Sequence, residues 1–132
     1  MADVDPTFVY GDAAALTAGH GPSDHVARLP RGLRGKTELL AALAGALSFP
    51  EYFGDNWDAL SDCMTDLSWL PAKRVLLVHA DLPLWRNDDQ RTYLELLRDA
   101  LQSWADDAER DVVIGFAEAD RAEIERLLGD AS

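Results

Sequence analysis

Cysteine occurs once, at Cys63, so no intramolecular disulfide can form and no second thiolate is available for a structural zinc site. A reducing compartment, the cytoplasm, is the expected setting. Basic residues are scarce: 12 Lys and Arg stand against 24 Asp and Glu, a formal charge of −12. A surface of that sign repels nucleic acid and anionic membranes and attracts basic partners. No stretch approaches the roughly eighteen consecutive apolar residues of a membrane span. The opening MADVDPTFVYGD lacks a basic stretch leading into an apolar run, so no secretory leader is expected. A phosphate-cradling glycine loop is also missing, and His20, His25 and His79 show no metal-ligand spacing.

What is present suits a single soluble domain. Of the 132 residues 48% are apolar and 27% charged, enough for a core without metal or disulfide support. Residues 1–24 form a lead in which TFVYGD reads as a short edge strand and ALTAGHGPSD as loop. HVARLP is strand-like. TELLAALAGAL has helical spacing, predicting a helix over Glu38 to Leu47 capped by Thr37. RVLLVH and DVVIGF read as strands buried on both faces, and the stretch from Asp88 to Trp104 as a long amphipathic helix. One turn of helix is expected around Pro83 and Trp85, and a lightly packed charged helix in ADRAEIERLLGD. Alternating strands and helices imply an α/β fold. Its parallel sheet should have three strands, near 25–30, 74–79 and 112–117, with a fourth from the N-terminal lead at an edge.

Residues 49–69, FPEYFGDNWDALSDCMTDLSW, carry the most unusual pattern. Pro50 and Gly54 mark a loop, after which a helix capped by Asp55 or Asn56 should run to about Asp66. On that helix Trp57, Leu60, Met64 and Leu67 form a core-facing stripe with Cys63 beside it, an arrangement that suits a buried, inert thiol. Asp58, Asp62 and Asp66 line the opposite face at intervals of four. Aspartate is a poor helix former, and like charges four apart cost roughly 0.2–0.5 kcal/mol per pair. Asp66 also faces the negative end of the helix dipole. A charged stripe is ordinarily a solvent face. Interleaved Glu and Lys would nevertheless serve solubility better, so a stack of one sign points to a partner.

The same nineteen residues, FPEYFGDNWDALSDCMTDL, resemble the signature of the barstar family, inhibitors of barnase-type ribonucleases. That signature has a Pro-Glu-Tyr-Tyr/Phe-Gly-x-Asn-x-Asp-Ala-Leu core leading into the inhibitory helix. The resemblance extends from about Val26 to Phe116. It implies a small barstar-like α/β domain over residues 25–117, a separate N-terminal extension (1–24) and a C-terminal charged helical segment (118–132). It also implies that Asp58 and Asp62 are the two key inhibitory acids, Asp62 foremost, and that Tyr52 is the contacting loop residue. Asp55, Asn56, Ser61 and Asp66 would complete the partner-binding surface, with Asp99 on the later long helix. Ser61 stands where the family often has an aromatic, and Asp66 and Leu67 where it has a glycine and an aromatic. The implied partner is a basic ribonuclease bound one to one and blocked by occlusion, with no cofactor, no metal, no catalytic residue, no nucleic acid and no membrane.

Two other readings stay open. A barstar-like module could serve a different basic toxin or a regulatory protein. Asp55, Asp58 and Asp62 could instead hold Mg²⁺ for phosphoryl transfer, since hard cations favour carboxylates. The acidic surface argues against an RNA substrate for such an enzyme.

Overall fold

The computed structural model describes residues 8–19, 21, 23–50, 56–84, 86–105, 107 and 110–129. A parallel sheet of four strands organises them, in the order β1-β4-β3-β2: β1 is Val9–Tyr10, β2 Asp24–Leu29, β3 Arg74–His79 and β4 Asp111–Phe116. The three expected core strands appear within a residue of their expected limits, and the N-terminal lead adds β1 at the edge beside β4. Helices α1 (Ala13–Thr17), α2 (Lys36–Ala46), α3 (Trp57–Asp66), α4 (Asn87–Trp104) and α5 (Arg121–Gly129) complete the fold, with a short 3₁₀ turn at Glu118–Asp120.

Handedness explains how the helices are shared between the two faces. From β2 through β3 to β4 the chain advances across the sheet in one direction, so right-handed crossovers place the intervening helices on one face. Ala27, Leu29, Val75, Leu77, Val112, Ile114 and Phe116 point into that layer and pack with Leu39, Leu40, Leu43, Leu60, Met64, Leu94 and Leu97. The step from β1 to β2 runs the opposite way across the sheet. The same rule therefore sends α1 to the other face, where Leu16 lies against Gly115. A Cβ on Gly115 would fall 2.7 Å from Leu16 Cδ1, so any larger residue there would make Leu16 shift. β3, at the centre, is buried from Val75 to His79, as its uninterrupted aliphatic run implies.

Several local expectations are corrected. Residues 15–17, expected as the start of a loop, instead end the helix Ala13–Thr17, because its three alanines and a leucine are strong helix formers; Ala18 and Gly19 form a turn. α2 starts at Lys36, and Thr37 lies inside it. The cap position is Gly35, whose N–H donates to Glu38 Oε1 at 3.1 Å. Residues 82–84 form no helical turn: Leu84 has φ 75°, and the Gln90 amide donates to the carbonyls of Pro83 and Leu84. Trp85 lies outside the described residues. α5 is not lightly packed, because Ile124 and Leu127 are buried in the main core.

The buried polar groups around His79 are matched. His79 Nδ1 lies 2.9 Å from the Gly115 carbonyl, which can only accept, so Nδ1 carries the proton and Nε2 accepts from the Tyr93 hydroxyl at 2.7 Å. The imidazole stacks on Phe116 with centroids 4.0 Å apart. Burial pushes its pKa down to about 4, partly opposed by the Gly115 carbonyl, so the ring is neutral at ordinary pH.

Candidate functional site

α3 opens on Asn56, whose side-chain oxygen accepts the Ala59 N–H at 2.7 Å. This residue, an expected partner contact, therefore also has a structural duty as the helix cap. Trp57 is half-buried. Its ring lies 6.2 Å from that of Tyr93, and Lys36 Nζ sits 5.2 Å from its centroid. Leu60, Cys63 and Met64 turn inward and are buried. Burial raises the Cys63 thiol pKa, and Asp62 and Asp66 raise it further, so the thiol stays protonated.

The outer face carries the acids. Asp58, Asp62 and Asp66 are all exposed, and one helical turn separates each from the next. None of the three forms an ion pair with another described residue. Ser61 is half-buried beside them, and Thr65 Oγ1 turns back onto the Ser61 and Asp62 carbonyls. Asp99 is exposed on α4, the helix that packs against α3. The structure thus gathers Asn56, Asp58, Ser61, Asp62 and Asp66 on one helix and its cap, with Asp99 on its neighbour. Tyr52 and Asp55 lie outside the described residues. Among the described residues, no group of three or more His, Cys, Asp and Glu is placed to hold a metal ion.

The end of α3 is held from outside the helix. Leu67 adopts the left-handed conformation, φ 51° and ψ 21°, and donates its N–H to the Cys63 carbonyl. Such a conformation costs a branched residue about 1–2 kcal/mol, which complete burial of its side chain offsets. The Trp104 indole N–H donates to the Met64 carbonyl at 2.8 Å. Arg110 spreads over the following turn, donating from Nη1 to the Leu67 carbonyl, from Nη2 to that of Leu70 and from Nε to that of Ala72 at 3.1 Å. Trp69 ties the same turn to the end of α2 through a 2.9 Å bond to the Leu47 carbonyl. None of these anchors was among the expected site residues. The available signals were general ones: a buried indole N–H needs an acceptor, and Arg110 is a lone cation in an acidic stretch, DDAERD.

Fold and site together define a small α/β domain that presents an acidic helix fixed at both ends. The chain belongs to the family described as Barstar (barnase inhibitor), whose model matches residues 25–130. That span takes in α5 and omits β1 and α1. No curated protein matches the chain closely enough to name a target. Among the described residues no helix is long and apolar enough to cross a membrane.

Proposed function

We propose that this protein inhibits a basic ribonuclease of the barnase type by seating the outer face of α3 in the enzyme's active-site cleft. The observation that carries the reading is the exposed, unpaired stripe of Asp58, Asp62 and Asp66 on a helix whose opposite side is locked in the core. A ribonuclease cleft must be basic to hold phosphate, and rigid carboxylates can occupy it as an anion that cannot be cleaved. Asp62, in the middle of the stripe, is the principal contact, with Asp58 and Asp66 on either side and Tyr52, Asp55, Asn56, Ser61 and Asp99 as further partner contacts. Inhibition is one-to-one occlusion without chemistry or cofactor, and the cytoplasm is the compartment in which it would operate.

A second reading is favoured by one observation. Leu67, where the family has an aromatic, is wholly buried and offers a partner nothing. The contact surface here thus differs from the family pattern, so a different basic toxin or regulatory protein is the alternative partner.

Calorimetry against a panel of small basic ribonucleases and toxins, with Asp62→Ala alongside, tests both readings. Tight one-to-one binding to a ribonuclease, lost in Asp62→Ala, supports inhibition; binding that ignores Asp62→Ala overturns the proposed mode. Binding only to a non-ribonuclease moves the protein to the alternative. A nuclease assay of the protein alone with Mg²⁺ tests the enzymatic reading, which predicts activity that Asp58→Asn abolishes.

A further inference from the structure

We infer that Arg110 is a positioning residue for the C-terminal half of the acidic face, acting through the turn at Leu67 to hold Asp66 in binding register; this rests on the inhibitory reading above. The last carbonyls of any helix lack intrahelical donors, and the negative end of the dipole disfavours an acid in the last turn. α3 has Asp66 at that position and no basic residue of its own in the last turn. The missing cation comes from another part of the chain. Arg110 lies just before β4, is 43 residues from Leu67 in sequence, and donates to the carbonyls of Leu67, Leu70 and Ala72.

The geometry also fixes the arginine itself. Its own N–H donates to Asp107 Oδ1 at 2.9 Å, and its guanidinium lies 5.7 Å from the centroid of Trp104, the residue that donates to Met64. One aromatic–guanidinium pair thus satisfies the carbonyls at 64, 67, 70 and 72. Lysine cannot substitute, since a single ammonium cannot span three diverging carbonyls as a planar fork does. With the guanidinium directed at backbone carbonyls, charge is compensated at the helix end while the Asp58, Asp62 and Asp66 carboxylates remain outward. Arg110 therefore cancels the dipole conflict at Asp66 without forming an ion pair with any of the three.

The test combines affinity with local dynamics. Against barnase and the same ribonuclease panel, Arg110→Met should weaken binding about tenfold, chiefly through faster dissociation, and Arg110→Lys should behave nearly as badly. Trp104→Phe, which keeps the ring and loses the N–H donor, should give a smaller loss of the same kind. The discriminating readout is coupling. Adding Arg110→Met to Asp66→Asn should cost almost nothing further, whereas adding it to Asp58→Asn should cost the full amount. A simple loss of stability would weaken both backgrounds equally, and that result would overturn the proposal.

Amide hydrogen exchange on the free protein supplies a readout independent of any partner. The hydrogen-bonded amides between 63 and 70 should exchange about tenfold faster in Arg110→Met while those of 59–61 stay protected. Uniform acceleration, or none, would overturn the clamp. Failure of every ribonuclease to bind the unmodified protein would overturn the functional reading, and the exchange result would then decide the positioning role alone.

Discussion

α3 and α5 are both short, acid-rich helices, yet they handle charge in opposite ways. In α5 the acids are paired: Arg121 reaches Glu125 at 3.2 Å, and Glu118 of the preceding turn at 3.7 Å, and Arg126 grips Glu123. In α3 the acids stack at intervals of four with no such partners among the described residues. The difference shows that an acidic composition does not by itself force a lone stripe, since the same chain neutralises α5 with residues one turn away. Charge on α3 without an ion-pair partner among the described residues is therefore a local feature that folding stability does not explain and that the proposed inhibition would use.

The largest effect that would test this contrast is at Asp62. Asp62→Ala should cost about 2 kcal/mol or more of binding to the target ribonuclease, the hot-spot range to which barnase–barstar itself contributes. The same substitution should raise the stability of the free protein, because alanine is the better helix former and two like-charge neighbours are relieved, each worth roughly 0.2–0.5 kcal/mol. Calorimetry and thermal melts measure the two quantities. A protein that loses both together would contradict the division between a core face and a partner face.

Next comes the core beneath α3. His79 donates to Gly115 and accepts from Tyr93, whose ring lies beside Trp57 at the start of α3. Its pKa falls from 6.5 in the unfolded chain to about 4 in the fold. The unfolded chain thus takes up a proton first on acidification. The contribution is fully present above about pH 6.5, is lost progressively as pH falls towards 4, and is gone below it, a loss on the order of 3 kcal/mol. Urea midpoints at pH 7, 5.5 and 4 measure it, and a variant such as His79→Gln should remove this component of the slope. α5 has no buried titrating group of this kind among its described residues.

Asp58→Asn should act mainly on encounter. Removing one charge from the stripe should slow association at low salt by a factor of a few and have little effect at high salt, where steering is screened. Stopped-flow association rates across an ionic-strength series separate this from Asp62→Ala, whose effect should sit in dissociation. A salt-independent loss at Asp58 would make it a direct contact in its own right.

Periodicity made most of this architecture legible in advance. The aliphatic runs at 74–79 and 111–116 fixed the central strands, and helical phasing separated Leu60 and Met64 from Asp58, Asp62 and Asp66. Features that depend on distant partners were not legible. Nothing local to ALTAG shows that Gly115, a hundred residues away, leaves room for Leu16. Nothing in DLSWLP shows that Arg110 will cap its carbonyls. The C-terminal segment looked peripheral because its charges dominate the pattern, although Ile124 and Leu127 were enough to bury one side of it. Tyr52 and Asp55 keep their standing as expected contacts from the motif alone.

The smallest effects belong to α5, and they complete the contrast. Its ion pairs are solvent-exposed, and such pairs are worth little and are screened by salt. The Arg126 hydrogen bond holds the Glu123 carboxyl below its ordinary 4.5, so the pair's contribution is present above that pH and is lost as pH falls through the lowered value. Arg126→Ala should therefore lower the melting temperature slightly at neutral pH and low salt, and by less at high salt or as pH falls through the lowered Glu123 value. Ribonuclease binding should be unchanged throughout, because α5 offers no unpaired acidic stripe to a basic cleft. A binding loss in Arg126→Ala comparable with that of Asp58→Asn would mean that the partner reads overall acidity and not the particular face of α3.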